Sequence, residues 1–387
     1  MSARHTPTLR GKTAVVGAAT YGIGEVPGSE AIDLAAQASL LALADAGLSP
    51  RDVDALFVCL PQDMLSGLAF AEYLGVTPKI TDNNRTGGSA FLTHTVFAAL
   101  ALEAGLCETA LIAYGSNQRS SSGKLVSALI ESVHQSVHRA PMPIAAYALA
   151  ASRHMHAFGT TREQLAEVAV AARRWAKLNP EAFSRDDLTI GQCLTSRMIA
   201  DPLTARDCCL VTDGAAAIVM TRADRARGLR REPVYLLGTG SAVTHKEIAA
   251  MPDLTVTGAV ESGRRAYAEA RVSPADIDVV QLYDAFTINT LLFLEDLGFC
   301  PKGEGGRFVS DGRIAPGGAL AVNTNGGGLS CVHPGMYGLF TIVEAVRQLR
   351  GECGARQIAG ARLALCHGNG GVLSSQATNI FGTGDVL

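Results

Sequence analysis

One pattern constrains this chain more than any other: it contains the same short plan twice. Residues 46–58 read AGLSPRDVDALFV and residues 270–282 read ARVSPADIDVVQL, so Ser49-Pro50-x-Asp52-x-Asp54 matches Ser273-Pro274-x-Asp276-x-Asp278. In both copies a helical stretch comes before and an apolar, strand-length run after. NRTGGS (84–89) and NGGGLS (325–330) then precede helical segments, and ALIAYG (110–115) and LALCHG (363–368) close the two copies. Several matches in the same order imply a duplicated α/β chain. In the first copy, strands are expected at 12–18, 53–60 and 109–114, alternating with helices at 30–46 and 90–104. That alternation predicts right-handed crossovers and a largely parallel sheet.

Three units follow from this plan. Residues 1–115 with 205–225 form a first half, 116–204 an insertion, and 226–387 a second half. The insertion carries Met142, Pro143, Tyr147, His154, Met155 and His156, then a helical stretch at 161–178. Insertions of this kind often cover a site. His154 and His156 stand two apart and would not share a helix face, which makes a poor metal pair.

Composition removes several classes of function. With 387 residues, 48% hydrophobic and 18% charged, the chain can bury a sizeable core and is not a disordered chain. A net charge of −3 without Lys/Arg clusters gives no nucleic-acid footprint. The cysteines number nine, an odd count, and no two are spaced CxxC, which argues against a disulfide framework and a four-thiolate zinc site. No metal is expected. The first residues show no signal-peptide pattern and no run reaches a membrane-spanning length, so a cytoplasmic protein off the membrane is expected. Gly326-Gly327-Gly328 has the look of a phosphate cradle, but no P-loop lysine follows.

Four motifs carry a family resemblance: Asn179-Pro180, Asp213-Gly214-Ala215-Ala216-Ala217, Tyr283-Asp284-Ala285-Phe286 and Gly328-x-x-x-x-His333-Pro334. Together with the duplication, they resemble the thiolase superfamily, and within it the lipid-transfer (sterol-carrier-protein) thiolases. The resemblance implies a duplicated thiolase fold, five-layered αβαβα, and a homodimer. Its active site would lie where helix N-termini of the two halves meet, a setting that stabilises a thiolate or an enolate oxygen.

The chain departs from that family at the chemistry. Family members carry a nucleophilic Cys in the loop that here reads Asn83-Asn84-Arg85-Thr86-Gly87-Gly88-Ser89, without a thiol. A second Cys, in His-Asp-Cys-Phe or Cys-x-Gly motifs, is replaced in Tyr283-Asp284-Ala285-Phe286 and in His367-Gly368-Asn369-Gly370-Gly371. Acyl transfer through a covalent acyl-enzyme loses its nucleophile. His333 matches the family histidine, and Tyr283 takes the position that holds a water or oxyanion. A His and a Tyr without a nucleophile suit retro-aldol cleavage of a β-hydroxyacyl-CoA to a ketone or aldehyde plus a shorter acyl-CoA.

NTNGGGLS (323–330), HPGMYG (333–338) and HGNGGVLSSQ (367–376) also resemble the Cys-less lipid-transfer aldolases of bacterial steroid side-chain degradation. That resemblance implies a small zinc-ribbon/OB-fold partner protein. Those relatives carry a Tyr after GGGLS, where this chain has Cys331, two residues from His333.

The candidate catalytic residues are therefore His333, Tyr283, Cys331 and His367. Candidate binding residues are Asn325, Gly328, Gly370 and Ser89. Bland readings stand beside several of them: Cys331 as a buried thiol, His333 as a core histidine, Tyr283 as a packed strand-end ring, Asn325 as a turn residue. No cofactor is expected beyond coenzyme A as part of the substrate. Two other functions fit the residues: an acyltransferase using Cys331, and a non-catalytic acyl-CoA-binding subunit.

Overall fold

The structure is a computed structural model that describes residues 8–61, 63–122, 137 and 140–387. The repeated Ser-Pro-x-Asp-x-Asp plan does the same work in both copies. Ser49 and Ser273 each cap a short 3₁₀ turn, donating backbone N–H to Asp52 and Asp276 at 2.8 and 2.7 Å. The second aspartate clamps a neighbouring strand at its start. Asp54 accepts from the N–H groups of Glu108 and Thr109, and Asp278 from those of Arg362 and Leu363.

Those clamps feed two copies of one strand arrangement. The first half contributes β1 (Thr13–Gly24), β2 (Ala55–Cys59), β3 (Ile80–Asp82) and β4 (Ala110–Ser116). A small hairpin follows, β5 (Met198–Ala200) with β6 (Leu203–Thr204), and then β7 (Asp213–Arg222). The second half contributes β8 (Val234–Val243), β9 (Val279–Leu282), β10 (Ala321–Val322), β11 (Leu363–Gly370) and β12 (Ser375–Gly382). The strand order is β10-β9-β11-β12-β8-β1-β7-β4-β2-β3. Read outward from the β1–β8 junction, the two halves run through equivalent strands in the same sequence.

The sheet is mixed rather than largely parallel. β2 pairs parallel with β3 and β4, as β9 does with β10 and β11. The last strand of each half returns antiparallel, β7 on β4 and β1, β12 on β11 and β8. For β12 the reason is the connection: only residues 371–374 separate it from β11, enough for a hairpin and too few for a crossover.

Helices complete the layers. α1 (Ala31–Ala46) covers β1, β4 and β7 from outside. α2 (Ser66–Leu74) lies on β2, and α3 (Ala90–Glu103) begins after the thiol-less loop. The insertion supplies α4 (Ile144–Phe158) and α5 (Arg162–Lys177). The second half adds α6 (Ala259–Ala270) on β8 and β12, α7 (Thr287–Asp296) and α8 (Gly338–Leu349). α3 and α8 pack on each other and against strands of both halves, which makes them the middle layer of the αβαβα stack. The outer helices sit close because the strand beneath them has lost a side chain: a Cβ at Gly17 would lie 2.0 Å from Ala42 O, and one at Gly238 2.1 Å from Ala266 O. No helix among the described residues is long and apolar enough to cross a membrane.

Candidate active site

The site grows from the end of β9. Tyr283 N–H donates to His367 O at 3.0 Å and prolongs the pairing with β11. The next residue, Asp284, turns beneath the glycine-rich segment and accepts from Gly328 N–H at 2.6 Å and Leu329 N–H at 3.4 Å. Any Cβ at Gly327 would lie 2.0 Å from Asp284 Oδ2, which is why this turn is built from glycines. Burial pushes the Asp284 carboxyl up to about 7, against the pull of its backbone donors. Asp284 thus seats the turn that leads to His333, which is also tied to Thr212 through its N–H and C=O.

Tyr283 Oη lies 3.1 Å from His333 Nε2, with the rings perpendicular. The Tyr283 ring passes over the thiol-less loop, where a Cβ on Gly88 would lie 1.8 Å from its Cε2. Burial holds the His333 imidazole down to about 4 and raises the Tyr283 phenol well above its ordinary value. Both groups are therefore neutral at pH 7: Tyr283 Oη donates to His333 Nε2 in one imidazole tautomer, and in the other accepts from it and donates to Gly335 O at 3.4 Å.

A cavity of about 560 Å³ opens on this pair. Its wall includes Tyr147 from the insertion, Phe286, Cys209 and Asn369, with Arg85 and Lys246 exposed toward solvent. Tyr147 stacks on Phe286 at 4.3 Å between centroids, donates to Gly371 O and accepts from Asn369 Nδ2.

Of the residues singled out from sequence, the structure brings His333, Tyr283 and Gly370 to this cavity. The others lie off its wall. Cys331 is buried against Asn179, its Sγ 3.5 Å from Nδ2, beside a void of about 10 Å³ lined by Glu181, Glu344 and Arg347. Burial raises its thiol pKa, so it is no thiolate. His367 is fully buried, with Nδ1 at 2.9 Å from Thr378 Oγ1 and Nε2 at 2.9 Å from Gln376 Oε1. Asn325 Oδ1 accepts from Gly327 N–H and Tyr337 Oη, a turn residue held in place. Gly328 spends its N–H on Asp284, and Ser89 Oγ donates to Ser375 Oγ at the start of α3. Sequence reasoning did not assign Asp284, Tyr147, Cys209 or Asn369. Asn369 had a usable signal, because on a strand it shares a face with His367 two residues earlier.

Residues 240–383 match the thiolase C-terminal domain-like family. The chain is 34% identical over 383 residues to an acetyl-CoA acetyltransferase of Methanothermobacter thermautotrophicus, covering 95% of this chain and 98% of the relative. It is 35% identical over 390 residues to a 17-hydroxy-3-oxo-4-pregnene-20-carboxyl-CoA lyase of Mycobacterium tuberculosis, with coverage of 95% and 98%. Among solved structures, an Ltp2–ChsH2(DUF35) aldolase superposes with a TM-score of 0.87 at 32% identity, over 97% of this chain and 98% of that one. With two matched half-sheets, a middle layer of α3 and α8, and these similarities along nearly its whole length, the chain belongs to the thiolase superfamily, in its lipid-transfer branch beside the steroid side-chain-cleaving aldolases.

Proposed function

We propose that this chain is a thiolase-fold carbon–carbon lyase that cleaves a β-hydroxyacyl-CoA by retro-aldol chemistry, without a covalent acyl-enzyme. One observation carries the reading: Tyr283 Oη and His333 Nε2 lie 3.1 Å apart on the cavity wall, beside a loop that holds no thiol. The substrate hydroxyl gives its proton to Tyr283 Oη while the phenol proton passes to His333 Nε2. The Cα–Cβ bonding pair moves onto the thioester as an enolate, and the ketone or aldehyde departs. Tyr283 then protonates Cα and is reprotonated by His333, leaving the shorter acyl-CoA and the starting side chains. Neutral partners suit this relay, since no charge is buried before substrate arrives.

The proposal includes partners. Arg85 and Lys246 offer positive charge at the cavity to the phosphates of coenzyme A, which enters as part of the substrate with no further cofactor. A homodimer and a small zinc-ribbon/OB-fold partner are proposed from the resemblance. The similar aldolase structure, named for Ltp2 and ChsH2(DUF35), supports the partner. A cytoplasmic setting belongs to the same reading.

Acyl transfer is the second reading, favoured by the relative named an acetyltransferase and by Cys209 on the cavity wall. Burial holds the Cys209 thiol well above its ordinary pKa, which opposes thiolate chemistry there. The deciding experiment co-expresses the chain with any genomically adjacent zinc-ribbon protein and offers a panel of β-hydroxyacyl-CoAs. Mass spectrometry should find a shorter acyl-CoA plus a ketone or aldehyde, lost in His333→Ala. An acylated peptide containing Cys209 or Cys331 would instead make the enzyme an acyltransferase.

A further inference from the structure

Behind the cavity, six polar side chains form one buried hydrogen-bonded line. Ser262 on α6 lies 2.8 Å from Thr378, Thr378 2.9 Å from His367 Nδ1, and His367 Nε2 2.9 Å from Gln376 Oε1. Gln376 Nε2 donates to Asn369 Oδ1 at 2.8 Å, and Asn369 Nδ2 donates to Tyr147 Oη at 2.8 Å. None of the six is more than 2% exposed. The line follows from sheet register: His367 stands opposite Thr378 and Asn369 opposite Gln376 in the β11–β12 pair, so all four project from one face.

The line has a direction, set at the cavity end. Tyr147 Oη spends its proton on Gly371 O at 3.0 Å, so it must accept from Asn369. Asn369 then shows Oδ1 to Gln376, Gln376 shows Oε1 to His367, and His367 must be the Nε2–H tautomer accepting from Thr378. The hydroxyls, the imidazole and the Gln376 amide thus fix which way the Asn369 amide points. Asn369 lines the cavity, and its nitrogen carries two hydrogens of which one is spent on Tyr147. Burial holds His367 down to about 3, so the line is not broken by protonation near neutral pH.

We infer that Asn369 is the donor for the thioester carbonyl oxygen, and that the line from Ser262 to Gln376 is the positioning device that keeps its amide nitrogen toward the cavity. This rests on the retro-aldolase reading. With Tyr283 and His333 occupied by the β-hydroxyl proton, the enolate oxygen at the other end of the breaking bond needs a separate donor. A fixed amide supplies one without reorganisation. His367 is on this account a positioning residue, although it never reaches the cavity.

The test measures binding and turnover separately, on the full chain together with its partner if one is found. The binding probes are acetyl-CoA and its thioether analogue S-ethyl-CoA, which lacks the carbonyl oxygen. The unaltered protein should bind acetyl-CoA roughly tenfold more tightly, the worth of one good hydrogen bond. Asn369→Leu should erase that preference. In turnover, Asn369→Asp, the same shape without the donor, should lower kcat by about a hundredfold and leave KM within a few-fold. Gln376→Leu, which leaves the cavity wall untouched, removes the donor that holds Asn369 Oδ1 and should also erase the acetyl-CoA preference. Nitrogen NMR should find His367 as the Nε2–H tautomer.

An unaltered thioester preference in Asn369→Leu, no preference in the original protein, or an Nδ1–H tautomer would overturn the inference. If Asn369→Leu does not fold, the isosteric Asn369→Asp carries the same binding comparison. Cleavage that persists unchanged in the Asn369 variants would sink this inference and leave the lyase reading standing. A thioester preference lost in those variants, in a protein that cleaves no β-hydroxyacyl-CoA, would sink the lyase reading alone.

Discussion

On the proposed relay two side chains bear the chemistry, and their environment decides how. Tyr283 and His333 stand 3.1 Å apart and would share that relay, so their losses should not add. Tyr283→Phe and His333→Ala should each lower kcat by about 10²–10⁴-fold, with the double variant little worse than either. Steady-state kinetics on the three variants check this; losses that multiply would mean two independent roles. Cys331 gives the opposite expectation. Its sulfur packs against Asn179 away from the cavity wall, so Cys331→Ala should leave kcat unchanged and cost about 1 kcal/mol of stability. A collapse of kcat in that variant, with the fold intact by circular dichroism, would return it to the reacting groups.

Two features of the elements are exposed to test. The loop before α3 can accept the Tyr283 ring only because residue 88 is Gly; a Cβ there would lie 1.8 Å from that ring. Gly88→Ala should therefore displace Tyr283, lower activity at least as far as Tyr283→Phe, and cost about 1–3 kcal/mol by overpacking. Full activity in Gly88→Ala would show that the loop yields instead of the ring. The repeated aspartates make a paired prediction. Asp54 and Asp278 each hold the N–H groups that open β4 and β11, so Asp54→Ala and Asp278→Ala should each cost about 1–3 kcal/mol. Urea unfolding of both variants checks whether the two copies are equivalent in energy as well as in shape.

At the scale of the whole molecule, buried histidines set the pH response. Burial lowers His94 and His333 to about 4 and His367 to about 3, from an ordinary value of 6.5. Below pH 6.5 the unfolded chain takes up protons at these three sites that the folded chain refuses. Their contribution to stability is thus complete above pH 6.5 and is lost as pH falls toward 4. Asp284, raised to about 7 from 3.8, works the other way, since the folded chain holds its proton while the unfolded one has released it. Three sites outweigh one, so the melting temperature should rise between pH 4.5 and 6.5 and flatten above 7. A melting temperature that falls across that acid window would contradict the neutral, buried state of these imidazoles.

The duplication was legible in the sequence because its signals are local. Ser-Pro-x-Asp-x-Asp closes a turn and clamps a strand within one unit, so the same letters give the same geometry twice. His333 and Tyr283 were legible because motif context marks single positions. The antiparallel returns of β7 and β12 were not, since strand direction depends on how long the intervening connection is and where it goes. Nor was the sorting of the candidates. Cys331 and His333 stand two residues apart, yet only His333 reaches the cavity, and Gly328 spends its N–H on Asp284, which follows Tyr283 in the chain. Asn369 meets Tyr147 of the insertion and Gln376 of β12, and the second pairing depends on a register between β11 and β12 that neither strand encodes alone. By itself, the sequence determined a doubled α/β chain that carries a motif histidine and a tyrosine but lacks the thiols that its relatives keep in the corresponding motifs. Tertiary structure alone decided which polar groups face one cavity, because burial, direction and proton ownership are properties of neighbours far apart in the chain.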